Sequence, residues 1–241
     1  GFPSVDNRFF SAVLITGILN FIAMPLLLRG YEIGEFSSVF SMILLTPVFT
    51  ILTSFIFLGE RANIIGIGGI ILTIVGLWTV GRTPAAEGYV DGHPRKNNHA
   101  GNLYGIIVAL IFSVSVNFDK LAIRYSDIFF FSASVMALLA ILNAFYLASV
   151  ARLDLSFSRA HQRIADMKAP MLLGVISAFA QIAHAGAISS GLVSYTLAIK
   201  RTGIIFGILW GWLFFHEKNA RQKLLGILIA FCGIGLILVS T

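Results

Sequence analysis

Runs of about twenty apolar residues recur along this chain, and no other feature constrains its fold as strongly. Each run is long enough for a helix to cross a hydrocarbon core about 30 Å thick, because an α-helix rises about 1.5 Å per residue. Only 12% of the 241 residues are charged, which is about half the share typical of a soluble domain. The sequence therefore predicts an all-α polytopic membrane protein.

Eight transmembrane helices fit these runs. Their predicted bounds are residues 9–29, 36–58, 63–81, 102–125, 128–150, 170–190, 193–215 and 223–240. Two connectors are long. The polar connector at 82–100 contains proline and glycine and is the predicted linker between two halves, whereas the basic connector at 151–168 is weakly amphipathic and suits the membrane surface.

An internal repeat relates the first three helices to the last three. A shift of 157 residues superimposes them without a gap and matches identical residues: Gly17 on Gly174, Gly34 on Gly191, Ser37 on Ser194, Phe49 on Phe206, Phe57 on Phe214, Glu60 on Glu217, Gly69 on Gly226 and Gly76 on Gly233. Equivalent helices are five spans apart, so the second copy must cross the membrane in the opposite direction. The sequence therefore predicts an inverted-repeat helix bundle, which is typical of secondary transporters.

The repeat also predicts the domain organisation. The fourth and fifth helices have no equivalents in the first half, so the full bundle should have ten helices, five in each repeat, of which the first two would precede residue 1. Residues 1–81 are then an incomplete first repeat with three helices, 82–100 the linker, and 101–241 a complete second repeat with five helices.

Two segments at this spacing share one pattern: an apolar helix that ends in Gly-Glu or a similar pair, a short polar turn, and a glycine-punctuated helix. They read LLTPVFTILTSFIFLGERANIIGIGGIILTIVGLWTV at 44–80 and AIKRTGIIFGILWGWLFFHEKNARQKLLGILIAFCGIGLILV at 198–239. The pattern resembles the EamA-like family of the drug/metabolite transporter superfamily. The resemblance implies two inverted five-helix repeats around a central cavity and export of amino acids, metabolites or drugs. The chain departs from the family pattern at His216, where glycine is expected.

Ionisable residues form a predicted layer about 10 Å inside one membrane face. Each charged residue at a helix centre costs about 2.5–3.5 kcal/mol on insertion scales, so such residues need a specific role. Three different helices contribute to the layer, with these members: Asp119, Lys120, His184, Lys200 and Arg201. Polar residues share helix sides with two of them, Asn117 with Lys120 and Gln181 with His184. The pattern predicts a polar cavity inside the bundle.

We expect this layer to bind an anionic or carboxylate-bearing substrate. Lys200 or Arg201, together with Lys120, would attract the anion, and Arg201 suits bidentate carboxylate binding. The other predicted substrate-binding residues are Asp119, Asn117, Gln181 and His184. Lys200 and Arg201 are about 100° apart on their helix, so both need not face the cavity.

Alternatives to these roles remain open on sequence grounds. Asp119 can pair with a cation in the empty site, form a structural ion pair with Lys120, or accept a transported proton. Lys120 and Arg124 can also snorkel to the interface, since both lie close to a helix end. His184 fits a packing role as well as a proton relay.

Other residues have predicted structural roles. Glu60 and Glu217 are interfacial anchors at equivalent helix ends. Pro25 and Pro47 predict kinks. Close helix approach is predicted at five glycines: Gly66, Gly69, Gly76, Gly226 and Gly233. The sequence predicts no metal site, no cofactor and no disulfide, since Cys232 is the single cysteine.

The predicted function is secondary transport or export of small metabolites, amino acids or related anionic or zwitterionic compounds, by alternating access and without chemistry on the substrate. No G-x-x-x-x-G-K-[ST] motif is present, so ATP-driven transport by this chain is not expected. The alternatives are an integral-membrane enzyme or lipid-handling protein, and a non-transporting assembly or receptor module. Expected partners are a small-molecule substrate and the bilayer; a coupling proton, an exchanged solute and a homo-oligomer are left open.

The predicted location is the bacterial cytoplasmic (inner) membrane. The net charge is +6, and the basic residues lie mostly in short connectors beside the spans. This position indicates that they set the membrane topology and contact anionic lipid head groups, rather than bind nucleic acid. The positive-inside rule puts the 82–100 linker in the cytoplasm, whereas the family resemblance puts it outside. The orientation therefore stays open.

Overall fold

The computed structural model describes residues 6–34, 36–81, 98–150, 168–203 and 220–240, and every structural statement concerns these ranges. Nine helices lie in this described part. They are α1 (Asn7–Ile33), α2 (Phe36–Ile43), α3 (Thr46–Leu58), α4 (Ile64–Gly81), α5 (Asn98–Arg124), α6 (Ile128–Val150), α7 (Lys168–Ser190), α8 (Val193–Arg201) and α9 (Ala220–Val239). The predicted helix ends agree with these bounds to within a few residues, except that the predicted second span is divided into α2 and α3. The second part of the predicted seventh span, 204–215, lies outside the described residues, as do both long connectors.

Four helices are long and apolar enough to cross a membrane, judged by length and composition. They are Asn7–Ile33, His99–Arg124, Ile128–Ser149 and Met171–Ser190. Shorter apolar helices are Thr46–Leu58, Ile64–Gly76 and Leu228–Val239. The all-helical membrane class is therefore confirmed, while the eight spans and the ten-helix total stay predictions.

The chain divides by contact into two compact units. The first contains Gly1–Phe21 and Phe118–Ser190, and the second contains Ile22–Asn117 and Gly191–Thr241. Helices α1 and α5 each contribute residues to both units. These units are defined by contacts, whereas the predicted repeats are defined by duplicated sequence. The units therefore do not test the repeat boundaries, which remain a prediction.

The first unit is built from the beginning of α1, the end of α5, and helices α6 and α7. Phe9 is buried and its ring lies 5.2 Å from that of Phe130. Gly17 lets α1 approach α6 closely, because a Cβ there would collide with the side chain of Leu138. Large apolar side chains such as Phe145 and Phe179 are more than two-thirds exposed, which suits a surface covered by lipid.

In the second unit, α4 and α9 pack against each other backbone to backbone. A Cβ on Gly69 would lie 2.7 Å from the carbonyl oxygen of Gly233, and one on Gly76 would lie 2.6 Å from that of Gly226. Contacts on α9 move toward its N-terminus as those on α4 move toward its C-terminus, so the two helices are antiparallel. Gly226 and Gly233 are the repeat equivalents of Gly69 and Gly76, so this antiparallel seam is what an inverted repeat requires.

The kink predicted at Pro47 is a complete interruption between α2 and α3. Leu44 and Leu45 form a turn, and α3 begins at Thr46 with the proline in its first turn. Proline has no amide hydrogen and leaves the carbonyl of Ile43, four residues earlier, without its helical donor. The Thr46 hydroxyl donates to that carbonyl instead, at 2.6 Å. Pro47 thus explains the break, and the Thr46 hydroxyl stabilises it.

Helix α8 ends at the position that the repeat relates to this break. Its last residue is Arg201, and the C-cap Thr202, which is equivalent to Leu45, forms a turn. The Thr202 hydroxyl donates to the carbonyl oxygen of Ile199 at 2.6 Å, three residues back, as Thr46 does to Ile43. The two halves therefore change helical geometry at corresponding positions.

The other end of α8 is held by the turn after α3. The Glu60 carboxylate accepts a hydrogen bond of 2.9 Å from the backbone amide of Val193, the first residue of α8. A carboxylate at a helix N-terminus is also favoured by the helix dipole. Gly59 makes the turn possible, since its φ of 69° is a conformation that side chains disfavour. The predicted partner anchor, Glu217, lies outside the described residues.

Candidate functional site

Arg201 is the central residue of the candidate site in the second unit. It is the last residue of α8, and its Nη2 donates a hydrogen bond of 3.2 Å to the hydroxyl oxygen of Thr46, the first residue of α3. The guanidinium is therefore held at the break between α2 and α3. Tyr31 of α1 is close enough to interact with it electrostatically.

Most of the hydrogen-bonding capacity of Arg201 remains unused in the described part of the chain. A guanidinium has five N–H donors in a planar fork. The Nε atom is buried and has no hydrogen-bond acceptor among the described residues. A buried donor without a partner costs about 1–3 kcal/mol, more when it is charged. Such an atom is suited to an anionic ligand.

Lys200 and Arg201 have different surroundings, as their spacing of about 100° on a helix leads one to expect. Arg201 is half-buried and turned toward α3, whereas Lys200 is exposed. Arg201 of the predicted cation pair thus contacts a helix break, through its hydrogen bond to Thr46.

Asn117 lies on α5 in the same unit and contacts another part of α3. Its amide donates to the hydroxyl of Thr53 at 3.0 Å and to the carbonyl of Ser113 at 2.6 Å. The side chain is fully buried, and its Oδ1 accepts no hydrogen bond from the described residues. Two side chains that contact α3 thus have an unused polar atom: Asn117 has an acceptor, Oδ1, and Arg201 has a donor, Nε.

The first unit holds a separate polar cluster around Asp119. Its carboxylate accepts a short hydrogen bond from the hydroxyl of Thr16 on α1. His184 of α7 places Nε2 3.9 Å from the other carboxylate oxygen, a distance for an ion pair with protonated histidine but too long for a hydrogen bond. Asn20 donates to Thr16 and extends the cluster along α1.

The remaining predicted site residues belong to the first unit as well. Lys120 is buried next to Asp119 in the sequence, and Gln181 is half-buried one turn before His184 on α7. The predicted layer is thus distributed over both units: Asp119, Lys120, Gln181 and His184 in the first, and Asn117, Lys200 and Arg201 in the second. A single continuous layer stays a prediction.

Three residues that form hydrogen bonds with predicted site residues were not predicted from the sequence. They are Thr16, Thr46 and Thr53, each of which accepts or donates a hydrogen bond to a charged or amide side chain. Threonines are common in transmembrane helices, where their hydroxyls bond to backbone carbonyls of the preceding turn. The signal that could have revealed two of them is the spacing of Thr46, Thr50 and Thr53, which places three hydroxyls on one side of α3.

Comparison with known proteins agrees with this architecture. A solved crystal structure, described only as that of a protein, matches with a TM-score of 0.69 over 95% of this chain and 76% of that chain, at 14% sequence identity. At this identity the likeness shows the fold alone. No curated protein matches the sequence.

A family profile identifies the chain more directly. The profile of the EamA-like transporter family matches residues 2–82 and 99–239, in two segments that together cover most of the sequence. The resemblance inferred from the glycine-punctuated helices is therefore confirmed. The chain belongs to the EamA-like transporter family, within the drug/metabolite transporter superfamily.

Proposed function

We propose that this protein is a secondary transporter of small carboxylate-bearing metabolites, amino acids or related zwitterions, in the bacterial cytoplasmic membrane. It moves them by alternating access and performs no chemistry on them. The observation that supports this proposal is Arg201, a guanidinium at a helix break whose buried Nε has no acceptor among the described residues.

The cost of placing a guanidinium in a membrane helix explains why this residue indicates function. Insertion of arginine at a helix centre costs about 2.5–3.5 kcal/mol, and the single hydrogen bond to the neutral hydroxyl of Thr46 offsets only part of it. A bound carboxylate would neutralise the charge and accept two parallel hydrogen bonds. The site is thus more favourable with an anion than without one.

The helix breaks support the same location. Discontinuous helices at corresponding positions of two inverted repeats commonly form the substrate site of a secondary transporter. Here α3 begins at Thr46 and α8 ends at Arg201, next to repeat-equivalent turns at Leu45 and Thr202. Arg201 and Thr46 connect the two breaks directly.

Transport by the full-length protein in liposomes tests the proposal. We expect flux of radiolabelled carboxylates that is at least about tenfold faster than in protein-free liposomes, and competition by other carboxylates but not by their amides, since an amide lacks the charge that Arg201 recognises. Absence of carboxylate flux from correctly folded protein would contradict the proposal and favour the enzyme or lipid-handling alternative.

Asp119 is our candidate for the coupling-proton site. Its carboxylate is buried, accepts a hydrogen bond from the Thr16 hydroxyl and lies 3.9 Å from His184 Nε2. The proton affinity of a buried carboxylate depends on its hydrogen bonds and on neighbouring charges, so it changes as these surroundings change during alternating access. Lys120, the adjacent buried cation, belongs to the same group of charges.

Asp119→Asn should separate coupling from transport. The amide retains the shape of the side chain but cannot bind a proton at transport pH. We expect uptake driven by a pH gradient to fall at least about tenfold, whereas exchange of labelled for unlabelled substrate, which requires no net proton movement, should continue. The measurement is flux with and without an imposed gradient, and a variant that keeps gradient-driven uptake would refute the assignment.

A further inference from the structure

We propose that Asn117 is a second recognition point in the site of Arg201, so the transported molecule carries a carboxylate at one end and an ammonium or hydroxyl donor at the other. This inference rests on the proposed function and narrows its substrate class. It is carried by two buried polar atoms of opposite hydrogen-bonding character, Arg201 Nε and Asn117 Oδ1, neither of which has a partner in the described ranges.

A row of threonines on α3 connects the two residues. Thr46, Thr50 and Thr53 are separated by four and three residues, so they lie within about 60° of one another around the helix. Arg201 donates to the first of them and Asn117 to the last. Both recognition groups are therefore held by the same side of the same helix.

The hydroxyl hydrogens of this row already have acceptors. Thr46 donates to the carbonyl of Ile43, Thr50 to that of Thr46, and Thr53 to that of Ser113, at 2.6, 2.8 and 2.7 Å. Each hydroxyl oxygen has two lone pairs, of which one on Thr46 already accepts from Arg201 and one on Thr53 from Asn117. The remaining lone pairs of the row can accept further hydrogen bonds. The row beyond Arg201 is thus suited to the donor end of a ligand rather than to a second carboxylate.

The orientation of the Asn117 amide follows from its neighbours. Both hydrogens of its NH₂ group point to oxygens, the hydroxyl of Thr53 and the carbonyl of Ser113. The reverse orientation would place two acceptor oxygens, Oδ1 and the Ser113 carbonyl, against each other. Oδ1 must therefore be the atom without a partner, and it can accept a hydrogen bond from a ligand donor.

The length of the row sets the shape of the ligand. Seven residues of helix separate Thr46 from Thr53, which corresponds to a rise of about 10 Å. The carboxylate and ammonium of an α-amino acid are attached to one carbon and are too close together to reach both ends. A linear ω-amino acid, or a molecule with a similarly distant amine or hydroxyl, spans the row.

Entry of such a ligand requires a conformational change. Thr46, Thr50 and Asn117 have no exposed surface in this structure, whereas Thr53 and Arg201 are half-buried. Alternating access provides the opening, because one repeat moves against the other around the substrate site.

The test compares two probes of equal chain length in liposomes containing the full-length protein. ε-Aminocaproate has a carboxylate and a terminal ammonium, whereas hexanoate has the carboxylate alone. We expect the wild type to prefer ε-aminocaproate by about ten- to a hundredfold in kcat/KM, the range for a hydrogen bond to a charged group. Glycine, in which the two groups are too close together, should compete weakly.

Asn117→Leu should abolish this preference, since leucine has a similar size but no acceptor. Asn143→Leu makes the same change at an exposed position of α6 and should preserve the preference. If Asn117→Leu does not fold, Asn117→Ser keeps a donor for the Ser113 carbonyl but is too short to reach the ligand, and it should lose the preference in the same way.

The outcomes distinguish the two proposals. An unchanged preference in both Asn117 variants, with hexanoate flux still dependent on Arg201, would overturn the second recognition point and leave the proposed function intact. Absence of flux for every carboxylate in the wild type would overturn both. The expected result is that Asn117→Leu loses the preference while Asn143→Leu keeps it, and that transport of both probes requires Arg201.

Discussion

Replacement of Arg201 by glutamine is expected to lower kcat/KM for carboxylate transport by roughly thirtyfold to a few thousandfold, which corresponds to about 2–5 kcal/mol for the loss of one partner of a buried charge pair. Glutamine can still donate one hydrogen bond to Thr46, but it has no charge and no planar fork. The carboxylate would then enter a buried site without a counter-charge. Initial rates in liposomes over a range of substrate concentrations give the ratio.

The same substitution should leave stability unchanged or increase it. Arg201 has a buried Nε that no described residue satisfies, and a charge removed from water is costly. Removal of that charge relieves the cost. Lower flux with unchanged or higher thermal stability is characteristic of substitution at a binding residue. If Arg201 only held α8 in place, its substitution would lower both the flux and the thermal stability.

Two matched variants make this prediction sharper. Lys200→Gln removes a cation from the adjacent, exposed position and should keep transport within about threefold of wild type, because its side chain lies about 100° around the helix from that of Arg201. Arg201→Lys keeps the charge but not the bidentate geometry, and its rate should fall between the other two. Wild-type flux in Arg201→Gln would refute the assignment of this residue to the substrate.

The overall architecture was predictable because membrane helices have a strong and local sequence signal. Length and apolarity indicated the positions of the helices, and the shift of 157 residues indicated the antiparallel relation that α4 and α9 display. The break at Leu44–Leu45 was less visible. Pro47 indicated a kink, but a full interruption also required a donor for the carbonyl of Ile43, and Thr46 supplies it.

The candidate site was only partly predictable, since sequence specifies which residues are polar but not which neighbours satisfy them. Lys200 and Arg201 look equivalent in the sequence, yet the Arg201 guanidinium is half-buried against Thr46 of α3 and Lys200 is exposed. Glu60 was predicted as an anchor at the end of its own helix. Its carboxylate also accepts a hydrogen bond from the backbone amide of Val193, at the start of a helix more than a hundred residues away. Hydrophobic periodicity in the sequence cannot predict a contact of this kind.

Gly76→Ala should destabilise the protein by about 1–3 kcal/mol, which is the usual cost of adding a methyl group to a well-packed contact. A Cβ at this position would lie 2.5 Å from the backbone nitrogen of Ala230 and 2.6 Å from the carbonyl oxygen of Gly226. Both are backbone atoms, so no side chain can rotate away and the helices α4 and α9 must separate. The measurement is thermal unfolding of the purified protein in detergent.

The inverted repeat makes a second, more demanding prediction from the same contact. Gly233 is the repeat equivalent of Gly76, and a Cβ there would lie 2.6 Å from the carbonyl oxygen of Gly69. Gly233→Ala should reduce stability by at least as much as Gly76→Ala, because a Cβ there would also lie 2.4 Å from the hydroxyl oxygen of Thr73, whereas the equivalent neighbour of Gly76 is Ala230. The double variant should be less destabilised than the sum, since one separation of the helices accommodates both methyl groups.

Gly68 and Gly235 provide the matched controls, since they lie on the same two helices and a Cβ at either position would have no described neighbour within 4 Å. Gly68→Ala and Gly235→Ala should stabilise the protein by up to about 1 kcal/mol, because alanine restricts the unfolded chain and favours the helix. Opposite signs at neighbouring glycines would show that backbone contact, and not helix propensity, determines the effect. Equal stability of all four variants would mean that α4 and α9 are not in backbone contact, and it would remove the structural basis for an inverted pair at this seam.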